Sequence, residues 1–350
     1  MNNNDYDDIN DINDINDIND INDNINNNIP WIEKYRPSNL DEVKSHEQLI
    51  ITLKNFIQNR DLPHLLFYGP SGTGKTSIIL SCARELYGNN IDLMTLQINV
   101  SEERGIEIVR NKILQFVQSK SFIFNENKKL FKLVILDEAD AMTLDAQAIL
   151  RRIIEKYTVN ARFCLICNYI KKINLALQSR CTIFRLSPIP DDIIEQKIKE
   201  ISKKEKIKIN KEAINSIIDK SNGDFRKIIN ILQTSSMITN NITEDMINRT
   251  LGFPSNKEID IMYNSLFNNT LNKSYDIITK IKDTEGYSLI DIIRLIFKKM
   301  LIDVDNGKLS QEKFINIIKK MSIIEYNLIN NTNDFIQLTS FIGIFTSLQN

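Results

Sequence analysis

Short apolar runs alternate with amphipathic stretches from Pro30 to about residue 188. Four runs are typical of buried strands and lie at residues 62–69, 93–99, 131–140 and 162–169. Three stretches have helical spacing and lie at residues 75–87, 104–118 and 145–157. Because strands that alternate with helices form parallel sheets, this part of the chain predicts an α/β domain.

The pattern changes after Pro188-Ile189-Pro190 and again near Gly252 and Pro254. Residues 191–250 predict short helices, with apolar residues at i, i+3 and i+4 in DDIIEQKIKEI. Residues 255–350 are again helical in pattern and rich in Ile. We therefore expect an α/β domain at 30–188, a small helical domain at 189–252 and a second helical domain at 253–350.

The first 29 residues have a different character. Residues 7–22 repeat Asp-Ile-Asn, and a period of three matches neither a helix nor a strand. Asn and Asp also favour turns. Residues 1–29 are therefore predicted to be a disordered low-complexity tail, with a docking tail as the less favoured interpretation.

Composition is ordinary for a globular protein, with 42% hydrophobic and 25% charged residues. The net charge of −1 hides an asymmetry, because residues 1–29 carry eight Asp and no Lys or Arg. Without those eight, 44 basic residues face 37 acidic ones, a net charge of +7 that permits a polyanionic partner. No apolar run approaches the ~20 residues of a membrane helix, and the polar, acidic N-terminus is unlike a targeting peptide. We expect an intracellular protein.

The segment GPSGTGKT fits the P-loop pattern and stands between a strand and a helix. Its residues are candidates for nucleotide binding: Gly69, Pro70, Ser71, Gly72, Thr73, Gly74, Lys75 and Thr76. The glycines let backbone N–H groups point at phosphate oxygens. Lys75 is the candidate for the β- and γ-phosphates, and Thr76 for Mg²⁺.

The run LVILDEAD predicts a buried strand that ends in carboxylates. Asp137 emerges at the carboxyl end, where ligands of α/β proteins bind, and is the second candidate for Mg²⁺. Glu138 is the candidate for polarising an attacking water molecule. Capping of the next helix is the alternative role. Together with the P-loop, these residues predict binding of a nucleoside triphosphate with Mg²⁺, and its hydrolysis; the resemblance described next implies ATP.

A resemblance to a known family rests on segments that follow one another along the chain. They are PWIEKYRP (30–37), the P-loop, NVSEERGIEIVR (99–110), LDEADAMT (136–143), CNY (167–169), SRC (179–181) and GDFR (223–226). In these segments the chain resembles the small subunits of replication factor C, the sliding-clamp loader, which are AAA+ ATPases. Residues 162–185 are most similar to the subunit type numbered three or five. The resemblance implies an AAA+ P-loop NTPase domain with a parallel sheet, a helical lid and an all-α collar for oligomerisation.

The resemblance also implies roles for single residues. Ile32, Arg36 and Val43 become candidates for contacts with adenine. Asn168 matches the first sensor, which meets the γ-phosphate, and Arg226 matches the second sensor, which reaches the nucleotide from the lid. The P-loop departs from many relatives, because Ser71 stands where they have a second proline. We expect no loss of binding from this difference.

Arg180, in QSRC, matches the arginine finger of the family, which acts on the ATP of the adjacent subunit. A guanidinium suits this role, because its fixed donors stabilise charge on a transferring phosphoryl group. The alternative role is that of a surface cation at a strand end.

Cys164 and Cys167 form a C-x-x-C pair that invites a metal or redox interpretation. No second pair of Cys or His follows, and the only histidines are His46 and His64. Residues i and i+3 of a strand face opposite sides. We therefore expect ordinary buried cysteines, and no chemistry for the histidines.

The implied partners are other replication factor C subunits in a hetero-pentamer, the sliding clamp, and primed duplex DNA held by its backbone without sequence specificity. Candidates for DNA contacts, by resemblance, are Arg84, Arg104, Arg110 and Lys156. Each is equally compatible with a solvated surface charge. Residues 105–117 are candidates for clamp contacts or for core packing. No membrane association is expected, and the family implies a nuclear location.

Two other functions stay open. One is a different AAA+ DNA machine, such as a branch-migration motor. The other is a ring subunit that binds ATP structurally, hydrolyses little of it and mainly donates Arg180. Intact Lys75, Asp137 and Glu138 argue against the second.

Overall fold

The computed structural model describes residues 29–102, 106–119, 131–221, 223–330 and 333–347. Within these ranges the chain divides into two compact units. The first contains the described residues up to Lys206 together with Ile217–Gln233, and the second contains Ile207–Ser216 together with the described residues from Thr234 onward. The domain limits at residues 188 and 252 stay a prediction.

The first unit is built on a five-stranded sheet in the order β2-β3-β4-β1-β5. Its strands are β1 Leu65–Tyr68, β2 Thr95–Asn99, β3 Lys132–Asp137, β4 Ala161–Cys167 and β5 Thr182–Arg185. All neighbouring strands are parallel, which confirms the predicted α/β class. The carboxyl ends therefore share one edge of the sheet, and residues that follow β1, β3 and β4 meet there.

Helices of the first unit connect these strands. They are α1 Trp31–Lys34, α2 Glu47–Asn59, α3 Lys75–Tyr87, α4 Ile91–Met94, α5 Ile106–Gln118, α6 Leu144–Tyr157, α7 Leu175–Gln178 and α8 Asp191–Lys204. Two further helices, α9 Lys211–Ser221 and α10 Phe225–Ile238, each cross from one unit into the other. The helices predicted at 75–87 and 145–157 are confirmed, as is the described part of 104–118; residues 104 and 105 lie outside the described residues.

Both faces of the sheet are covered by hydrophobic cores. In β3, Leu133 and Ile135 belong to one core, whereas Val134 and Leu136 belong to the other. This alternation follows from the two-residue period of a strand. It also explains why β3 is a continuous apolar run, since a parallel sheet is buried on both sides.

Three strands escaped the sequence prediction. β5 lies at the edge of the sheet, and most of its side chains are exposed, so it lacks the apolar run of a buried strand. In the second unit, β6 Lys208–Ile209 and β7 Asn241–Ile242 form a two-stranded parallel pair. The expectation that residues 191–250 are wholly helical was therefore wrong at these positions, where two residues are too few for a periodic signal.

The rest of the second unit is helical. Its helices are α11 Glu244–Leu251, α12 Asn256–Asn268, α13 Leu271–Glu285, α14 Leu289–Asp305, α15 Gln311–Ile329 and α16 Asp334–Thr346. Helix α11 ends at Gly252, whose φ of 68° suits glycine. Helix α12 begins with a capping box between Ser255 and Glu258. α12–α16 pack around one core that contains Phe341 and Phe345.

Candidate functional site

A cavity of about 440 Å³ lies in the first unit beside the P-loop. Its walls come from the segment before β1, the P-loop, α8 and the start of α10. Its lining residues include Ile32, Tyr35, Arg36, Val43, Gly72, Thr73, Gly74, Thr76, Phe225, Arg226 and Ile229. We call this space the P-loop cavity. It is large enough for a small-molecule ligand.

The P-loop connects β1 to α3. Gly72 and Gly74 adopt φ values of 70° and 90°, which side-chain-bearing residues rarely adopt. The hydroxyl of Thr73 donates to the carbonyl of Pro70 at 3.0 Å and steadies the turn. Helix α3 begins at Lys75, so its free N–H groups and the positive end of its dipole face the loop, as anion binding requires.

Lys75 is buried at the centre of this edge. Its ammonium donates to the carbonyls of Gly69 and Pro70, both at 2.7 Å, and to Oδ1 of Asn168 at 2.9 Å. Burial lowers the pKa of Lys75, while the carboxylate of Asp137 acts in the opposite direction. Asn168 directly follows β4. Its hydrogen bond with Lys75 means that the predicted sensor and the P-loop lysine are in contact.

Thr76 and Asp137 form a second pair. The hydroxyl of Thr76 donates to Oδ2 of Asp137 at 2.7 Å, and the backbone N–H of Glu138 donates to Oδ1 at 2.9 Å. Hydroxyl and carboxylate oxygens are ligands that suit Mg²⁺, so this pair fits the ion. Glu138 has a φ of 54° and an exposed side chain, whereas Asp137 is half-buried.

The segment before β1 forms one wall of the P-loop cavity. Ile32, Arg36 and Val43 all line it, as the resemblance implies for adenine contacts. Tyr35 also lines it and was not predicted. Its hydroxyl donates to Glu205, which also pairs with Lys34 at 2.7 Å. Burial, together with Glu205, raises the pKa of Tyr35.

Arg226 also lines the P-loop cavity, together with Phe225 and Ile229. All three residues lie near the start of α10. The two predicted sensors therefore occupy different places: Asn168 contacts Lys75, and Arg226 faces the P-loop cavity. Ser71 does not line the cavity. Its hydroxyl donates to Oδ2 of Asp224 at 2.6 Å.

Arg180 follows α7 and is an exposed residue that does not line the P-loop cavity. Its guanidinium pairs with Glu155 of α6 at 2.5 Å and donates to the carbonyl of Ala176 at 2.5 Å. The predicted alternatives for Arg180 both require an exposed side chain. Sequence reasoning missed Glu155, because a charged residue on an exposed helix face carries no distinguishing signal.

Gln147 is another residue that the sequence did not reveal. It lies in α6 and is buried. Its amide donates to the carbonyls of Met142 and Lys172, at 3.2 Å and 2.9 Å, and its carbonyl accepts from the N–H of Asn174 at 2.7 Å. It therefore joins the loops that follow β3 and β4, which also carry Glu138 and Asn168.

The candidate DNA contacts are scattered along the chain. Arg84 donates to the carbonyl of Pro37 at 3.0 Å, so it braces the segment before β1. Arg110 is exposed on α5, and the ammonium of Lys156 lies 5.3 Å from the ring centre of Tyr157. Arg104 lies outside the described residues.

Cys164, Cys167 and His64 are all buried. Cys164 and Cys167 are buried free thiols in opposite cores. Burial raises the pKa of Cys167 to about 12, which leaves the thiol protonated. His64 accepts a hydrogen bond from the N–H of Phe163 at 3.2 Å, and burial lowers its pKa to about 4.

Among the described residues, no helix is long and apolar enough to cross a membrane.

Family models match three consecutive parts of the chain. They are the ATPase family associated with various cellular activities at residues 65–189, the RFC1-like AAA+ ATPase lid domain at 192–248, and the replication factor C C-terminal domain at 254–343. A probable replication factor C subunit 5 from Dictyostelium discoideum is 47% identical over 91% of this chain and 90% of its own length. The chain belongs to the replication factor C family.

Other members of the replication factor C family agree with this result. Replication factor C subunit 5 from Homo sapiens is 42% identical, with 91% of this chain and 92% of the relative covered. Subunit 3 from Saccharomyces cerevisiae is 41% identical, with 90% and 92% covered. The resemblance to the subunit type numbered three or five is thus confirmed, and so is the assignment as an AAA+ ATPase.

A solved structure shows the fold alone. A variant of RuvB from Thermotoga maritima has a TM-score of 0.50 and 16% identity, with 73% of this chain and 86% of that chain covered. This likeness supports the AAA+ architecture and carries no statement about function.

Proposed function

We propose that this chain is an ATP-hydrolysing subunit of a nuclear replication factor C clamp loader. In this role it assembles with other replication factor C subunits into a hetero-pentamer, which opens the sliding clamp and loads it on primed DNA for replication and repair. The observation that carries the proposal is the convergence of Lys75, Thr76, Asp137 and Asn168 at one edge of the sheet, beside the P-loop cavity.

ATP binds in the P-loop cavity and contacts residues from several of the elements that line it. The adenine lies against Ile32, Arg36 and Val43, and the phosphates lie along the P-loop and the start of α3. Lys75 exchanges its bonds to Gly69 and Pro70 for phosphate oxygens, and Arg226 approaches from α10. The exchange stabilises the complex because the ammonium then pairs with a negatively charged oxygen instead of a neutral carbonyl.

Hydrolysis requires an activated water molecule and stabilisation of negative charge. Glu138 lies at the exposed end of β3 and orients the water as a general base. Thr76 and Asp137 would hold Mg²⁺, which would offset negative charge on the phosphates. Asn168 senses the γ-phosphate in this proposal, and its hydrogen bond from Lys75 supports that role.

Arg180 acts on a neighbouring subunit. Its exposed position, away from the lining of the P-loop cavity, supports a role outside its own site. A guanidinium supplied in trans to a phosphoryl-transfer site accelerates hydrolysis by ~10³–10⁵. The ATPase site of the assembly is then shared between two chains.

DNA and the clamp are partners of the assembly. Arg84, Arg104, Arg110 and Lys156 are the candidates for DNA backbone contacts. The bond from Arg84 to Pro37 makes a bracing role for that residue the competing explanation. Backbone contacts give affinity that falls with salt and does not depend on sequence.

Substitution Glu138→Gln tests the proposed chemistry. We expect ATP binding by this chain to be preserved, while its contribution to the ATPase rate of the reconstituted assembly with clamp and primed DNA is lost. Glu47→Gln, at the exposed start of α2, is the matched control and should change neither. An unchanged ATPase rate in the Glu138→Gln assembly would favour a subunit that binds ATP structurally.

A further inference from the structure

The P-loop and the start of α10 share one carboxylate. Oδ2 of Asp224 accepts from the hydroxyl of Ser71 at 2.6 Å, and Oδ1 accepts from the backbone N–H of Arg226 at 3.0 Å. Asp224 directly precedes α10, so its carboxylate caps the first turn of that helix. One side chain therefore fixes both the loop and the position of the Arg226 backbone.

The two backbones are also unusually close. A Cβ atom on Gly72 would lie 2.7 Å from the Cα atom of Asp224, which no side chain could tolerate. The N–H of Phe225 points at the carbonyl of Gly72, with a separation of 3.4 Å. Gly72 is thus required by the approach of α10 as well as by its own φ of 70°.

Helix α10 carries part of the lining of the P-loop cavity. Phe225, Arg226 and Ile229 lie within its first five residues and face that space. The same cavity is lined by Gly72, Thr73 and Gly74 of the P-loop. The hydrogen bond from Ser71 to Asp224 joins the P-loop to the start of α10.

The hydroxyl of Ser71 is the donor in this contact, and Ser71 belongs to the P-loop itself. We propose that the hydroxyl of Ser71 is a positioning contact that holds α10 and Arg226 against the P-loop and thereby slows nucleotide release. This inference rests on the proposed function of Arg226 at the nucleotide.

The size of the effect follows from the type of bond. A hydrogen bond to a charged group contributes more than a neutral one, but both residues here are partly exposed to water. We expect Ser71→Ala to release nucleotide about fivefold faster than the unmodified chain. Ser71→Thr keeps the hydroxyl and should release nucleotide at nearly the original rate.

The test measures the dissociation rate of N-methylanthraniloyl-ADP from the full chain. Ser71→Ala is compared with Ser71→Thr and with Ser322→Ala, an exposed serine in α15 whose hydroxyl donates to Lys319 of its own helix. Each variant is also melted to confirm that it is folded. Ser322→Ala should match the unmodified chain.

A double variant separates positioning from a general loss of packing. If Ser71 acts through Arg226, then Ser71→Ala should add little to the faster release of Arg226→Ala. An equal fold-change in both backgrounds would overturn the inference, as would an unchanged rate in Ser71→Ala alone. Absence of nucleotide binding by the unmodified chain would overturn the proposed function and the inference together, whereas normal binding with an unchanged rate in Ser71→Ala would overturn the inference alone.

Discussion

Arg226 and Arg180 are both matched to family motifs, yet they occupy different surroundings. Arg226 lines the P-loop cavity of its own chain, as do Ile32 and Tyr35. Arg180 lies outside that lining and is paired with Glu155. The difference shows that two arginines matched to motifs of one family can have different surroundings, since one lines a cavity of its own chain and the other is exposed beside a carboxylate.

Among the effects on ATP affinity, the largest is expected from Lys75. Lys75→Ala removes the ammonium group. The carbonyls of Gly69 and Pro70 and the side-chain oxygen of Asn168 then lose the donor of their hydrogen bonds. We expect the affinity of this chain for ATP to fall by about 100-fold, because several charge-assisted bonds are lost. Isothermal titration of the full chain measures this change.

Lys319→Ala in α15 is the matched control for Lys75, since Lys319 is exposed in the second unit. It should bind ATP as the unmodified chain does. The contrast between the P-loop cavity and Arg180 would be contradicted if Lys75→Ala also abolished the contribution that Arg180 makes to the ATPase rate of the assembly. Then the two regions would not act separately.

A smaller effect is expected from Arg226→Ala. Arg226 is one of several groups around the P-loop cavity, so we expect ATP affinity to fall by about tenfold, the equivalent of about 1.4 kcal/mol. The same titration measures it, with Arg60→Gln after α2 as the control. A change of less than twofold would remove Arg226 from the binding machinery and weaken its contrast with Arg180.

The smallest expected effect concerns the ion pair of Arg180. Both side chains are partly exposed, at 34% for Arg180 and 42% for Glu155, so the pair is a weak competitor for the guanidinium. Glu155→Gln should free Arg180 and raise the ATPase rate of the assembly by up to about threefold. The rate is measured with clamp and primed DNA present.

A fall in rate for Glu155→Gln would mean that Glu155 orients Arg180 instead of competing for it. Glu195→Gln is a suitable control, because Glu195 also forms an exposed ion pair, with Lys199 in α8. It should leave the rate unchanged.

Local patterns in the sequence were enough to predict much of the first unit. The P-loop, the carboxylates after β3 and the helix at 75–87 each depend on neighbouring residues, and the structure has these elements where they were expected. β5 was missed because an exposed edge strand has no continuous apolar run. The two-residue strands β6 and β7 were missed because they are too short.

Contacts between distant parts of the chain could not be predicted. Ser71 and Asp224 are 153 positions apart, and Tyr35 and Glu205 are 170 apart. Nothing in either local sequence identifies the partner, because a serine or a glutamate on a loop is compatible with many contacts. The chemical groups of the candidate site could therefore be predicted from local motifs, whereas the contacts that hold them in place are visible only in the folded structure.

The decisive experiment compares Arg180→Ala with the unmodified chain in two assays. One is ATP hydrolysis by the reconstituted assembly with clamp and primed DNA, and the other is ATP binding by this chain alone. We predict that hydrolysis falls, by ~10³ at the site that Arg180 serves, while the affinity of this chain for ATP stays the same. An unchanged hydrolysis rate would contradict a role in trans, and a weakened affinity in the isolated chain would place Arg180 at its own nucleotide.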